Sequence, residues 1–216
     1  MILVEDRNLV LPGTKLAEGS YGSDVGTYKE KDAIYASVLG IAYVQKNTIR
    51  VVPLEGKYMP KVDDPVLGVI VDEYPKGWIV DLECPYRVTL DPRDIFEKRF
   101  SPIRIGDLIY GKIFKVTETY EAFINAKRPY GRLEGGRLVK IHPSRVPRLI
   151  GRGGSMITQI KDQTRCDILV GQNGLIWLLG KPENEEFAAQ IVQKVDREAH
   201  TSGLTDRVGE MLKRKS

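Results

Sequence analysis

The chain has 216 residues, 42% hydrophobic and 29% charged, a balance that excludes a disordered polypeptide and leaves room for one or two domains, or more if they are small. No apolar run approaches the ~20 residues of a membrane helix. MILVEDRNLVLPG lacks the basic head and long apolar stretch of a secretory signal, so a cytoplasmic chain without membrane attachment is expected. Cys84 and Cys166 are too few and too far apart for a disulfide framework or a structural zinc site, and no cofactor or metal is expected.

The first sixty residues read as β structure. LPGTKLAEGSYGSDVGTY is rich in turn formers, and the β-branched runs AIYASVLGIAYV (33–44) and TIRVVPL (48–54) are joined by a hairpin connection at 45–47. KYMPKVDDP (57–65), with two prolines and a charge cluster, reads as a linker. Five short strands follow at 66–74, 77–83, 86–90, 107–116 and 121–126, with one long connection, DPRDIFEKRFSPIRIG. That content predicts a five-stranded OB-type barrel. VDDPVLGVI (62–70) and IGDLIYGKI (105–113) share an acidic turn feeding a glycine-bearing strand, read as two similar barrel corners.

From 128 the pattern changes. RLVKIHP (137–143) is a strand, VPRLIG (146–151) a short helical turn, and SMITQIKDQTR (155–165) a helix with Met156, Ile157, Ile160 and Thr164 on one face. DILVGQ and LIWLLG flank Asn173-Gly174, a hairpin signal. Residues 182–199 form a helix opened by Pro182 and acidic residues, with Phe187, Ala188, Ile191, Val192 and Val195 as its apolar stripe. LTDRVGEMLKRKS continues as helix and ends in a basic tail. The expected fold class is multidomain, mainly β plus α+β. It comprises a β-rich domain (1–60), a barrel (61–128) and a βααββα domain with a basic tail (129–216).

Net charge is +4, but residues 128–165 alone carry nine basic groups against Glu134 and Asp162, or +7. Inside that window IGRGG (150–154) sits between two short helices. Glycine lets a backbone turn through positive φ and lets a ligand approach without a Cβ in the way. The helix that follows offers unsatisfied N–H groups to an anion. Gly151, Gly153 and Gly154 therefore suit a passing sugar-phosphate backbone, with Arg152 as a phosphate contact and Ile150, Ile157 and Ile160 as an apolar floor. Arg145, Arg148 and Lys161 complete the expected RNA-binding set.

VPRLIGRGGSMITQIKDQTRCDILV and the hairpin and helix after it resemble a type I KH domain, whose GXXG loop, here 151–154, clamps about four nucleotides of a single strand. The barrel resembles the OB domain of ribosomal protein S-one, which implies RNA contact through aromatic and basic side chains. The candidates are Lys76 and Trp78 on the first hairpin and Phe96, Lys98, Arg99 and Phe100 on the long connection. A β domain, this barrel and a KH domain in that order resemble the RNA-binding cap subunits of the archaeal exosome, related to the eukaryotic rRNA-processing protein four. LVLPGTKLAEG and IHPSRVPRLIGRGG carry the likeness at either end. One departure stands out: the family commonly begins its barrel with Gly-Asp, where this chain has Asp63-Asp64 before Pro65. The resemblance implies a non-catalytic subunit. Three copies would cap a hexameric ring of RNase PH-like proteins through their N-terminal domains and guide single-stranded RNA into the pore.

Two alternatives stand beside this reading. Asp81 and Glu83, at i and i+2 in the predicted strand IVDLE, would face the same side and so could begin the site of a metal-dependent exonuclease. A ribosome-associated RNA-binding module would share the RNA chemistry and differ in its partner.

Overall fold

The structure, a computed structural model, describes residues 1–45, 47–53, 56–95, 103–127, 131–199, 201 and 203–213. They fall into two compact units, 1–56 and 57–216.

The first unit is all β. Strands β1 (Leu9–Val10), β2 (Lys15–Glu18), β3 (Gly22–Ser23), β4 (Thr27–Glu30), β5 (Ala33–Ala36), β6 (Gly40–Gln45) and β7 (Thr48–Pro53) form two sheets, ordered β2-β5-β4 and β1-β6-β7-β3. The hairpin expected at 45–47 is present, with Gln45 opposite Thr48. The run 33–44, by contrast, is not one strand: β5 and β6 belong to different sheets. Between them the Ser37 N–H turns aside to the Gly26 carbonyl. The break lets Ile34 and Ala36 of one sheet and Ala42 and Val51 of the other share one core.

The second unit opens with a barrel of β8 (Pro65–Tyr74), β9 (Gly77–Asp81), β10 (Val88–Ile95), β11 (Leu108–Val116) and β12 (Ala122–Ala126). It closes through a parallel β10–β12 pair and antiparallel β11–β12 and β11–β8 pairs, and β13 (Gly131–Leu133) extends β11 on its outer side. Alternating side chains from all five strands, among them Val66, Ile70, Val80, Leu90, Ile109, Ile113 and Ile124, fill the interior.

Residues 57–65 are not a linker. Tyr58 is buried in the barrel core and its hydroxyl donates to the Asp64 carboxylate at 2.6 Å. Burial raises the Tyr58 pKa, with the Asp64 carboxylate adding to the shift. The prolines and charges that suggested extended chain conceal one aromatic anchor.

The echo between 62–70 and 105–113 is a near-symmetric pair of corners. The Asp63 N–H donates to the Ile113 carbonyl (2.8 Å) and the Ile113 N–H to Asp64 (3.0 Å). In the same pattern, the Gly106 N–H donates to Ile70 (2.8 Å) and the Ile70 N–H to Asp107 (2.9 Å). Asp63 takes φ 74 and Gly106 φ 94, so this chain's departure from Gly-Asp leaves an aspartate in the left-handed conformation that glycine adopts at the matching corner. Within β8, a Cβ on Gly68 would stand 2.5 Å from Val80 Cγ1, 2.6 Å from Leu82 Cδ2 and 2.9 Å from the Asp81 carbonyl oxygen. Gly68→Ala is therefore expected to lower stability by about 1–3 kcal/mol through overpacking, read as a lower urea midpoint.

The remainder is β14 (Arg137–Lys140), α1 (Val146–Ile150), α2 (Ser155–Thr164), β15 (Asp167–Val170), β16 (Leu175–Leu179) and α3 (Pro182–Glu198), the βααββα order of a type I KH domain, with sheet order β14-β16-β15. The apolar faces of α2 and α3 meet one side of this sheet: Met156, Ile160, Ala188, Ile191, Val192 and Val195 pack with Ile168, Ile176 and Leu178. A further helix, α4 (Leu204–Lys213), adds Leu204, Val208 and Leu212 to that core. Arg214 and Lys215 of the basic tail lie outside the described residues.

The other face of the KH sheet packs on the barrel. Leu175 and Trp177 of β16 join Leu67 of β8 in a buried cluster, with Leu108, Tyr110, Leu133, Leu169 and Leu179 around it. β16 is thus covered on both faces, which is why LIWLL reads as a continuous apolar run and not an alternating one.

Candidate nucleic-acid interface

The loop from 151 to 154 joins α1 to α2, and its glycines do different work. Gly151 (φ 76, ψ 177) caps α1, its N–H donating to the Pro147 carbonyl at 3.0 Å. A Cβ there would stand 2.9 Å from both the backbone nitrogen and Cβ of Met156, so this glycine lets the two helices approach. Gly153 (φ 57) and Gly154 (φ 81) are also left-handed. Around Gly153 nothing lies within 4 Å of a built Cβ, and at Gly154 only Ile157 Cγ2 does, at 4.0 Å. The outer half of the loop is open backbone. No side chain caps the start of α2. Ile150 and Ile157 are half-buried against the KH core beside it.

Four cations of the sequence window are paired with acids in three dimensions. Arg132 pairs with Asp107 (3.2 Å), Arg137 with Glu186 and Lys140 with Glu83. Arg145 pairs with Asp196 (3.2 Å), whose carboxylate also accepts the His142 N–H at 3.0 Å. Arg148 donates to the carbonyls of Ala199 and Thr201, both at 3.2 Å, at the end of α3. Arg128 lies outside the described residues. Of the expected RNA contacts, Arg145 therefore binds α3 and Arg148 the chain just beyond it, which their proximity to the loop in sequence did not reveal. Among the described residues, Arg148 on α1, Arg152 in the loop, Lys161 on α2 and Arg165 at the far end of α2 have no ion pair or hydrogen-bonded acid. Arg152 and Arg165 are exposed and Lys161 half-exposed. Arg165 follows the last helical residue as the C-cap of α2, in the left-handed conformation (φ 53, ψ 37). The unpaired cations of this window thus run from α1, through Arg152 in the open loop, to the far end of the helix it starts.

On the barrel the expected residues are scattered. Lys76 is exposed in the two-residue turn between β8 and β9. Trp78 is half-buried and packs on the barrel core, and its indole N–H is buried without a partner among the described residues. Phe96, Lys98, Arg99 and Phe100 lie outside the described residues. An aromatic and basic group that the sequence reading missed stands on β11 and β12. The pairing register shifts between Ile113 and Lys115, leaving Phe114 as the extra residue of a bulge, 47% exposed. Its ring tilts against Phe123 at 6.3 Å, and Lys115 Nζ lies 5.5 Å from the Phe123 ring centre. The signal in the sequence was IFKV, where Phe114 faces away from the barrel core.

The exonuclease geometry does not hold. β9 ends at Asp81, whose carboxylate accepts the Glu83 N–H at 2.7 Å, while Glu83 takes φ 56 and pairs with Lys140. The two carboxylates therefore close a turn and do not share a strand face. Among the described residues, no group of three or more His, Cys, Asp or Glu side chains stands together to hold a metal ion. No helix among them is long and apolar enough to cross a membrane.

Comparison with known proteins agrees with this architecture. Residues 7–55 match the family model of the exosome RNA binding protein RRP4 N-terminal domain, and residues 137–194 match that of the KH domain. The chain is 47% identical to the exosome complex component Rrp4 of Pyrococcus horikoshii, over 98% of this chain and 84% of that one. It is 44% identical to Rrp4 of Methanothermus fervidus, over 98% of both. A crystal structure described as an exosome complex RNA-binding protein superposes with a TM-score of 0.66 at 31% identity, covering 74% of this chain and 97% of the other. With this identity running nearly end to end through both its β unit and its KH domain, the chain belongs to the Rrp4 family of archaeal exosome components.

Proposed function

We propose that this chain is a non-catalytic, cytoplasmic RNA-binding subunit of the exosome, and that its KH loop is the clamp. Single-stranded RNA passes with its phosphates over Gly153 and Gly154, held by Arg152, Lys161 and Arg165, while unstacked bases lie toward Ile150 and Ile157. The N-terminal domain (1–60) anchors three copies to a hexameric ring of RNase PH-like subunits. The barrel (61–128) and KH domain (129–216) then guide RNA into the pore for 3′-to-5′ degradation or processing. Three weak sites around one entrance raise affinity by effective concentration alone. The observation that carries the reading is an open glycine loop that holds Arg152 and follows Arg148, neither paired with an acid, while Arg132, Arg137, Lys140 and Arg145 are.

Salt titration tests it. Each phosphate contact on a single strand contributes about −0.7 to the slope of log K against log salt. Arg152→Ala is therefore expected to weaken binding of single-stranded RNA by about 3- to 10-fold at ~0.1 M salt and to flatten the slope by about that amount. The purified chain, given Mg²⁺ or Mn²⁺, leaves the RNA intact. An unchanged slope removes Arg152 from the interface, and RNA cleavage abolished by Asp81→Ala restores the exonuclease reading.

A further inference from the structure

The hairpin between β15 and β16 is more than a turn. Asn173 at its tip is 3% exposed, and its carboxamide makes three bonds to barrel backbone. Nδ2 donates to the carbonyls of Leu67 (2.7 Å) and Leu82 (3.1 Å), and Oδ1 accepts the Leu67 N–H (3.3 Å). Next to it, the Gln172 N–H donates to the Pro65 carbonyl at 2.8 Å. The barrel supplies these groups because its ladder is interrupted there. β8 pairs with β9 only from Val69 opposite Asp81 onward, and after Asp81 the chain turns away through Glu83. On the edge turned away from β11, the start of β8 is left with polar backbone facing no strand, and Asn173 occupies the place of the missing one. Gly171 permits the approach, since a Cβ there would stand 2.9 Å from the Leu67 nitrogen and 2.3 Å from Asn173 Oδ1. Leu67, Leu175 and Trp177 seal the surroundings.

We propose that Asn173 is a positioning residue for RNA: it fixes the KH loop relative to the barrel, so that one single strand is read by both at one spacing. The idea rests on the loop binding RNA, as proposed above. A rigid two-site receptor gains from linkage when the sites match the strand, and loses that gain when either site is free to wander.

The test uses the full chain with Asn173→Leu and, as an independent lesion of the same contact, Gly171→Ala. Two probes are titrated: an unstructured oligoribonucleotide of about 4 nucleotides, the span of one GXXG loop, and one of about 20, long enough to reach the OB face as well. Residual dipolar couplings report the relative orientation of the two modules. In both variants the modules are expected to reorient, with affinity for the short probe within about twofold of wild type and affinity for the long probe down about tenfold. Unchanged long-probe affinity in variants whose modules have reoriented overturns the proposal, as does unchanged orientation in both variants. A wild-type chain that binds the long probe but not the short one, and ignores charge changes in the loop, instead overturns the reading of the loop.

Discussion

Aspartate at both Gly153 and Gly154 is expected to leave the KH domain folded and to lower affinity for single-stranded RNA by at least about tenfold at ~0.1 M salt. Both positions have left-handed φ, which costs an L-residue about 1 kcal/mol, and aspartate is among the residues that tolerate it best. Neither Cβ meets anything closer than 4.0 Å, so no core contact is disturbed. Arg148 at the end of α1 and Arg152 in the loop, neither paired with an acid, supply the local positive charge, and two carboxylates offset it where phosphates are expected to pass. At a few ångströms each like-charge contact costs about 1 kcal/mol even in water-like surroundings, and the added side chains hold the strand away from the backbone. Fluorescence anisotropy measures the affinity and circular dichroism the fold. Gly151→Ala is the complementary control. It adds no charge, but its Cβ meets the Met156 backbone at 2.9 Å, so it should destabilise the domain by about 1–3 kcal/mol. If the double aspartate variant binds within about threefold of wild type across a salt titration, the loop is only a turn.

Much of this architecture can be read from local signals. The five barrel strands announce themselves by alternation and by turns that recur every few residues. The KH helices do so by apolar positions at spacings of three and four, and Met156, Ile160, Ala188, Ile191, Val192 and Val195 are all buried where that pattern puts them. What the sequence hides is what depends on distant partners. A window of nine cations looks like one basic surface, yet Arg137 meets Glu186 and Arg145 meets Asp196, each about fifty positions away, so only the structure shows which cations remain. Residues 57–65 have the composition of a linker, and nothing local reveals that Tyr58 enters the barrel. Asn173-Gly174 is a correct hairpin signal that stops short of its main consequence, because the groups Asn173 binds lie 91 and 106 positions earlier. One local clue to that contact did exist. LIWLL is apolar at every position, and a sheet strand needs that only when both its faces are covered.

Asn173→Ala is expected to destabilise the second unit by about 2–5 kcal/mol. The loss is not that of three average hydrogen bonds. The Leu67 N–H and the carbonyls of Leu67 and Leu82 belong to residues with no exposed surface, so removing the carboxamide leaves them in an apolar cluster without water, at about 1–3 kcal/mol for each group that finds no new partner. The cavity left by the side chain adds to this. Lys140→Ala provides the scale. It removes the ion pair to Glu83 across the same interface, but the lysine side chain is 65% exposed and the glutamate 38%, so the change should be under about 1 kcal/mol and vanish in high salt. Urea unfolding followed by tryptophan fluorescence suits the comparison, since Trp177 stands in the buried cluster beside Leu67. A single transition in the wild type that splits into two for Asn173→Ala means that the carboxamide couples barrel and KH domain into one cooperative body. Similar midpoints for the two variants mean that the apolar cluster alone holds the domains together, with Asn173 a passenger.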